Sequence, residues 1–224
     1  GGAMVAVPFD LSARQKQWLL AAFALWVGLL AFSVRFAAVV TIPEDIDEVE
    51  YVPIAQRYAE ALGSGDVSAL VNEQAVTEHP RWGYLLYGGA VWFSGTQDSH
   101  QDARIASRIM AALLAAAGAV VLALRWPLAG VFWALMGLGV HYTSEAYLDS
   151  PTTFFAIACV VAFDQAARRA RTLESVRQLP WGWLLVSALC AGMTVSSKYL
   201  GAVAPLAVAI GFVYWGWNLP KKGR

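Results

Sequence analysis

Long apolar runs with charge at their ends recur along the chain, at residues 17–40, 103–124, 127–144, 150–166, 181–197 and 200–218. A helix needs about 20 mainly apolar residues to cross the hydrocarbon core of a bilayer, so each run predicts a membrane span. A shorter stretch broken by glycine, GYLLYGGAVWFSG at 83–95, suits an interfacial or re-entrant helix better than a crossing. Between the first two runs, EVEYVPIAQRYAEAL places Val49, Val52, Ala55, Ala59 and Leu62 at mostly helical spacing, with Glu50, Arg57 and Glu60 elsewhere. That pattern predicts an amphipathic helix lying on the bilayer. GSGD ends it, and VSALVNEQA starts a second short helix.

The elements together predict an all-α integral membrane protein, a single transmembrane module over residues 1–224. Its first span is 17–40, its large external loop with interfacial helices is 41–102, and five further spans fill 103–218. Composition agrees: 58 % of residues are hydrophobic, 14 % are charged, and the mean hydropathy is +0.51. Soluble domains average about 25 % charged residues. The first run is too long for the apolar region of a secretory signal, and no convincing cleavage site follows it, so it reads as an uncleaved anchor. Cys159 and Cys190 lie inside apolar runs and read as small buried hydrophobes.

Net charge is zero, but the signs are segregated. In a six-span arrangement Arg14, Lys16, Arg125, Arg168, Arg169, Arg171, Arg177, Lys221, Lys222 and Arg224 share one side, which the positive-inside rule makes cytoplasmic. Every acid except Asp10, Asp164 and Glu174 falls on the other side or at its boundary. Both termini are then cytoplasmic, and the inner membrane of a bacterium is the expected location. A crossing at 83–95 would invert the later loops and move RRARTLESVR outside, so charge bias favours a segment that does not cross.

Charges at the edges of spans are costly and mark functional hypotheses. On the external side this topology gathers Arg35, Arg104, Arg108, Glu145, Asp149 and Lys198, with the Asp47/Glu48 pair above them. Cations for a phosphate and carboxylates for a proton acceptor suit transfer from a lipid-linked phosphate donor. Plainer readings stand beside this one. The acidic cluster is also what a solvated loop looks like, and Arg35 and Lys198 can snorkel to the headgroups. The one-turn spacing of Arg104 and Arg108 points to a common partner, such as Glu145 or Asp149. His141, Glu145 and Asp149 are spaced for one helix face, where they make an internal hydrogen-bond network or, less commonly, hold a divalent metal. Trp18, Trp126, Trp181, Trp183, Trp215 and Trp217 near span ends read as interfacial belts. The sequence has no dinucleotide or P-loop fingerprint, and nothing in it points to nucleic acid.

The order of elements resembles the N-terminal half of the GT-C glycosyltransferases, nearest the protein O-mannosyltransferase and aminoarabinose-transferase branch. The likeness runs through Arg35 at the end of the first span and an Asp-Glu-x-x-Tyr motif at Asp47, Glu48 and Tyr51. It continues through EHPRWGYLLYG, ARIASRIMAALLAAAG, TSEAYLDSPTTFF and AGMTVSSKYLG. The resemblance implies an inverting transfer of a sugar from a polyprenyl-phosphate donor to an external acceptor, with Asp47 as general base and Glu48 beside it. It implies that Arg35, Arg104 or Arg108, and Lys198 neutralise the lipid phosphate, and that Asp149 and His79 belong to the same donor site. It assigns no metal ligands, although some relatives hold zinc near the motif containing Glu78 and His79. Polyprenyl-phosphate sugar and membrane lipid are the implied partners.

The motif's second proline is Arg81 here, and the resemblance covers only the first half of such enzymes. The readings left open are part of an enzyme, a split enzyme, or a non-catalytic GT-C-like subunit packed among other membrane chains. A solute or ion transporter would want discontinuous spans and polar groups near the midplane, whereas these polar residues cluster at one face.

Overall fold

The computed structural model describes residues 11–72, 81–170 and 179–217. Every regular element among them is helical: α1 (Ala13–Thr41), α2 (Ile46–Ser64), α3 (Val67–Asn72), α4 (Trp82–Ser94), α5 (His100–Arg125), α6 (Pro127–Leu135), α7 (Gly137–Tyr142), α8 (Asp149–Ala170), α9 (Trp181–Ser197) and α10 (Val203–Trp217). A 3-10 turn, Tyr199–Ala202, precedes α10. α1, α5 and α8, at 29, 26 and 22 residues, are long and apolar enough to cross a membrane. α9 and α10 are apolar but have only 17 and 15 residues.

α1 and α5 pack through small residues. Ala24, Val27 and Ala31 of α1 meet Ala116, Ala119 and Ala123 of α5 in one buried cluster, and Gly28 lies against Ala116 and Val120. Lipid tails are as apolar as the helices, so apolar burial gives little reason for helices to pair; close backbone approach does, and small residues permit it. Gly130 of α6 shows how close: a Cβ there would stand 2.7 Å from the Ala123 backbone. α8 lies along α5 and α9. At the opposite end from the acidic loop, Arg125 and Arg168 both pair with Asp164, Arg168 at 3.0 Å. Asp164, an exception to the charge segregation, is thereby neutralised by the basic residues around it.

Two expectations from the apolar pattern change here. The run at 127–144 is not one helix: it breaks at Met136, whose backbone is extended (φ −63°, ψ 113°) between α6 and α7. Gly137 and Gly139 lie in the first turn of α7, just after the break, where glycine weakens the helix that would otherwise run through Met136. The buried face of α2 is broader than the expected one. Val52, Ala55 and Ala59 face inward as expected and Leu62 is half-buried, Tyr51, Ile54 and Tyr58 join them, and Val49 is 54 % exposed. The tyrosines carry much of this burial, packing with Tyr84 and Tyr87 of α4. α4 covers the 83–95 segment in 13 residues, about 20 Å of helix against a hydrocarbon core of about 30 Å, and it packs on α2.

Candidate functional site at the loop-bearing end

α2 begins with a reciprocal cap: Asp45 accepts from the Asp47 N–H at 3.2 Å, and Glu48 accepts from the Asp45 N–H at 3.5 Å. Three residues inside a helix start, Glu is well placed to do this. The same carboxylate then turns into the protein. Glu48 is fully buried and takes hydrogen bonds from Arg108 Nε at 2.7 Å, from Arg108 Nη2, and from the Ala146 N–H at 2.8 Å.

Arg108 is 1 % exposed and uses its remaining donors on backbone. It reaches Val39 O and Ile42 O at 2.7 and 2.8 Å, and Pro43 O at 2.9 Å. Val39 O and Ile42 O are orphan carbonyls at the C-terminus of α1, where cationic donors are favoured, and Pro43 O lies just past its cap. One guanidinium therefore ties the end of α1 and the start of α2 to α5, and the Glu48 carboxylate adds the 143–148 loop. A buried charge pair repays its desolvation only when such further hydrogen bonds complete it.

Asp47, one residue away, is exposed. Successive helical residues differ by about 100° in direction, so a buried Glu48 sends its neighbour outward. Arg104, one turn before Arg108, pairs with Glu44 at 3.3 Å and keeps 20 % of its side chain exposed. Glu44 also bonds His100 at 2.5 Å, and this bond, with Arg104 and Arg108 nearby, holds its carboxyl below the usual range. Lys198 at the end of α9 donates to both oxygens of Asp149 at the start of α8, at 3.1 and 3.0 Å. Its side chain is 24 % exposed and that of Asp149 39 %.

The expected common partner of Arg104 and Arg108 is not there: Arg104 takes Glu44 and Arg108 takes Glu48. Arg35 joins none of the carboxylates. It is fully buried and donates to Thr143 Oγ1 at 2.6 Å, to Ala31 O and Ala134 O at 3.1 Å, and to Trp133 O at 3.2 Å, with the Trp133 ring 5.5 Å away. Trp133 and Ala134 carry the carbonyls freed by the break at Met136. Snorkelling does not describe this side chain.

His141, Glu145 and Asp149 do not share a helix face, because α7 ends at Tyr142 and a buried loop leads to α8. His141 Nδ1 stands 3.3 Å from Glu145 Oε1, while Asp149 turns to Lys198. Among the described residues no group of three or more His, Cys, Asp or Glu comes together. Glu78 and His79 lie outside the described residues. Sequence reasoning missed Glu44, His100, Thr143 and the Ala146 N–H. The Asp45-x-x-Glu48 spacing was the available signal for the cap, whereas backbone donors and acceptors leave no mark in a sequence.

An apolar groove of about 490 Å³ runs between α8, α9 and α10, lined by Phe163, Trp181, Leu184, Ala188, Pro205 and Phe212 among others. None of the charged residues above lines it. The chain matches no protein-family model, no curated protein and no solved structure.

Proposed function

We propose that the chain is a glycosyltransferase module that moves a sugar from a polyprenyl-phosphate carrier to an acceptor at the non-cytoplasmic face, with Asp47 as general base. In that reaction the acceptor O–H or N–H gives its proton to Asp47, and its lone pair forms the new bond to the anomeric carbon. The bond from that carbon to the phosphate oxygen breaks, and its electron pair leaves on the polyprenyl phosphate. Arg104 and Lys198, partly exposed at this end, balance the phosphate charge. Arg35 and Arg108 act at one remove: they hold the helix ends that carry the site. Six crossings with both termini cytoplasmic, in a bacterial inner membrane, complete the reading.

The observation that carries it is the division of labour between adjacent acids. Asp47 is exposed on the first turn of α2 while Glu48 anchors that turn to Arg108. A base must be positioned as well as accessible, and this pair supplies both. The test is donor consumption by the intact assembly in lipid, comparing the natural protein with Asp47→Asn. Loss of turnover with unchanged thermal stability supports the assignment, and unchanged turnover removes it.

One observation favours a second reading, a non-catalytic subunit of a larger membrane complex. Arg35, Arg104, Arg108 and Lys198 each already have a carboxylate or carbonyl partner. Such a subunit copurifies with other membrane chains and carries no isoprenoid phosphate, which native mass spectrometry of detergent extracts reads directly.

A further inference from the structure

Connecting loops ordinarily run over a protein's surface, because buried backbone must find partners. The 143–148 loop between α7 and α8 is an exception. Thr143, Ser144, Glu145, Ala146, Tyr147 and Leu148 are all between 0 and 7 % exposed. Two of its residues are held by the ion network, Thr143 by Arg35 and Ala146 by Glu48. Glu145 sits between these anchors with its side chain 1 % exposed; no donor meets either carboxylate oxygen in good hydrogen-bond geometry, and the Tyr147 hydroxyl is the side-chain donor lying against it. A buried ionised carboxylate with so few donors is costly, and such a group lowers its free energy by taking a proton.

A route for that proton is present. His141, on the last turn of α7, has half of its side chain on the protein surface (52 % exposed), and its Nδ1 is 3.3 Å from Glu145 Oε1. Among the described residues, none of the other titratable groups that act on Glu145 has that access. Tyr147 lies against it from the same loop and is 7 % exposed; Glu48 from α2 and Arg108 from α5 are fully or almost fully buried. Asp45, at the α2 cap, interacts with Tyr147 and with His141.

We propose that Glu145 and His141 form a proton-binding site at the loop-bearing end of the protein, loaded from the aqueous phase through the half-exposed imidazole. Burial raises the Glu145 carboxyl above the usual carboxylate range, and the charge of Glu48 pushes the same way; Tyr147, His141 and Arg108 oppose it. When the site is empty of its proton, the Glu145 charge joins that of Glu48 near the single guanidinium of Arg108. The neighbouring Ala146 N–H holds Glu48, so the seat of α2 responds to pH on that side of the membrane. This inference is independent of the transferase reading.

Infrared spectroscopy of the full chain in lipid nanodiscs, titrated between about pH 5 and 8, tests it with Glu145→Gln and His141→Gln. The natural protein should show a protonated-carboxyl C=O band that is missing from Glu145→Gln and fades as pH rises. In His141→Gln, whose altered side chain is half exposed, the midpoint of fading should rise by about one pH unit or more. Two results would overturn the proposal: no band separating the natural protein from Glu145→Gln, or a midpoint that His141→Gln leaves in place.

Discussion

Arg35 hydrogen-bonds Thr143 at 2.6 Å while two of its other donors hold Trp133 O and Ala134 O, so one side chain bridges both sides of the break at Met136. A charge buried among carbonyls is justified by what it satisfies, here the helix-terminal acceptors of α6. Arg35→Met should orphan them at about 1–3 kcal/mol each. Arg35→Lys should recover only part of the loss, because an ammonium lacks the planar fork that reaches several acceptors at once. Unfolding in detergent measures both, and a Met variant as stable as the natural protein would remove the bridging role.

Gly88 and Gly89 are adjacent on α4 but meet different surroundings. A Cβ on Gly88 would stand 2.4 Å from Tyr58 Cβ and 3.0 Å from Ala55 O of α2; one on Gly89 would meet nothing within 4 Å. Gly88→Ala should therefore force α2 and α4 apart at a cost of about 1–3 kcal/mol. Gly89→Ala should be neutral or stabilising by about 0.5–1 kcal/mol, since glycine is poor inside helices. Thermal midpoints of the two variants should move in opposite directions or differ by that margin.

Two glutamates should give opposite pH signatures. The carboxyl of Glu44 is lowered by His100, so its contribution to stability is fully present above the ordinary carboxylate range and is lost as pH falls through its depressed value. Its side chain is 28 % exposed, which limits the effect to less than about 1 kcal/mol. The carboxyl of Glu145 is raised by burial, so its ionisation costs stability as pH rises from the ordinary range through the raised value. Glu44→Gln should flatten the acid limb of a stability–pH curve, and Glu145→Gln should flatten the limb above it. Identical curves for both variants would refute the assignment.

Length and hydropathy made α1, α5 and α8 legible, because a long apolar run has few alternatives to a buried or membrane helix. α2 was legible too, including its end at Gly65, whose φ of 69° favours glycine. Its inward face was legible in Val52, Ala55 and Ala59 but not in Tyr51 and Tyr58, which widen it against α4, nor in Val49, which is exposed. The break at Met136 was hidden, since PLAGVFWALMGLGV reads as one apolar run with only glycines to mark a weakness. The charged residues of the site were identifiable as costly and unusual, but their pairing was not. Arg108 and Arg35 spend most of their donors on carbonyls, and any residue type supplies a carbonyl. For the same reason the sequence grouped Asp47 with Glu48, although neighbours on a helix cannot share one direction.

The most direct test of the account is a double-mutant cycle between Glu48 and Arg108, read as unfolding free energy in detergent. Glu48→Ala should cost about 3–5 kcal/mol by leaving a buried cation uncompensated. Arg108→Leu should cost at least as much, because the carbonyls of Val39, Ile42 and Pro43 lose their donor as well. The double variant should be well short of the sum, with a coupling of about 2 kcal/mol or more. Effects that add within about 0.5 kcal/mol would show that the two side chains do not meet, and the anchored first turn of α2, with the exposed Asp47 upon it, would lose its foundation.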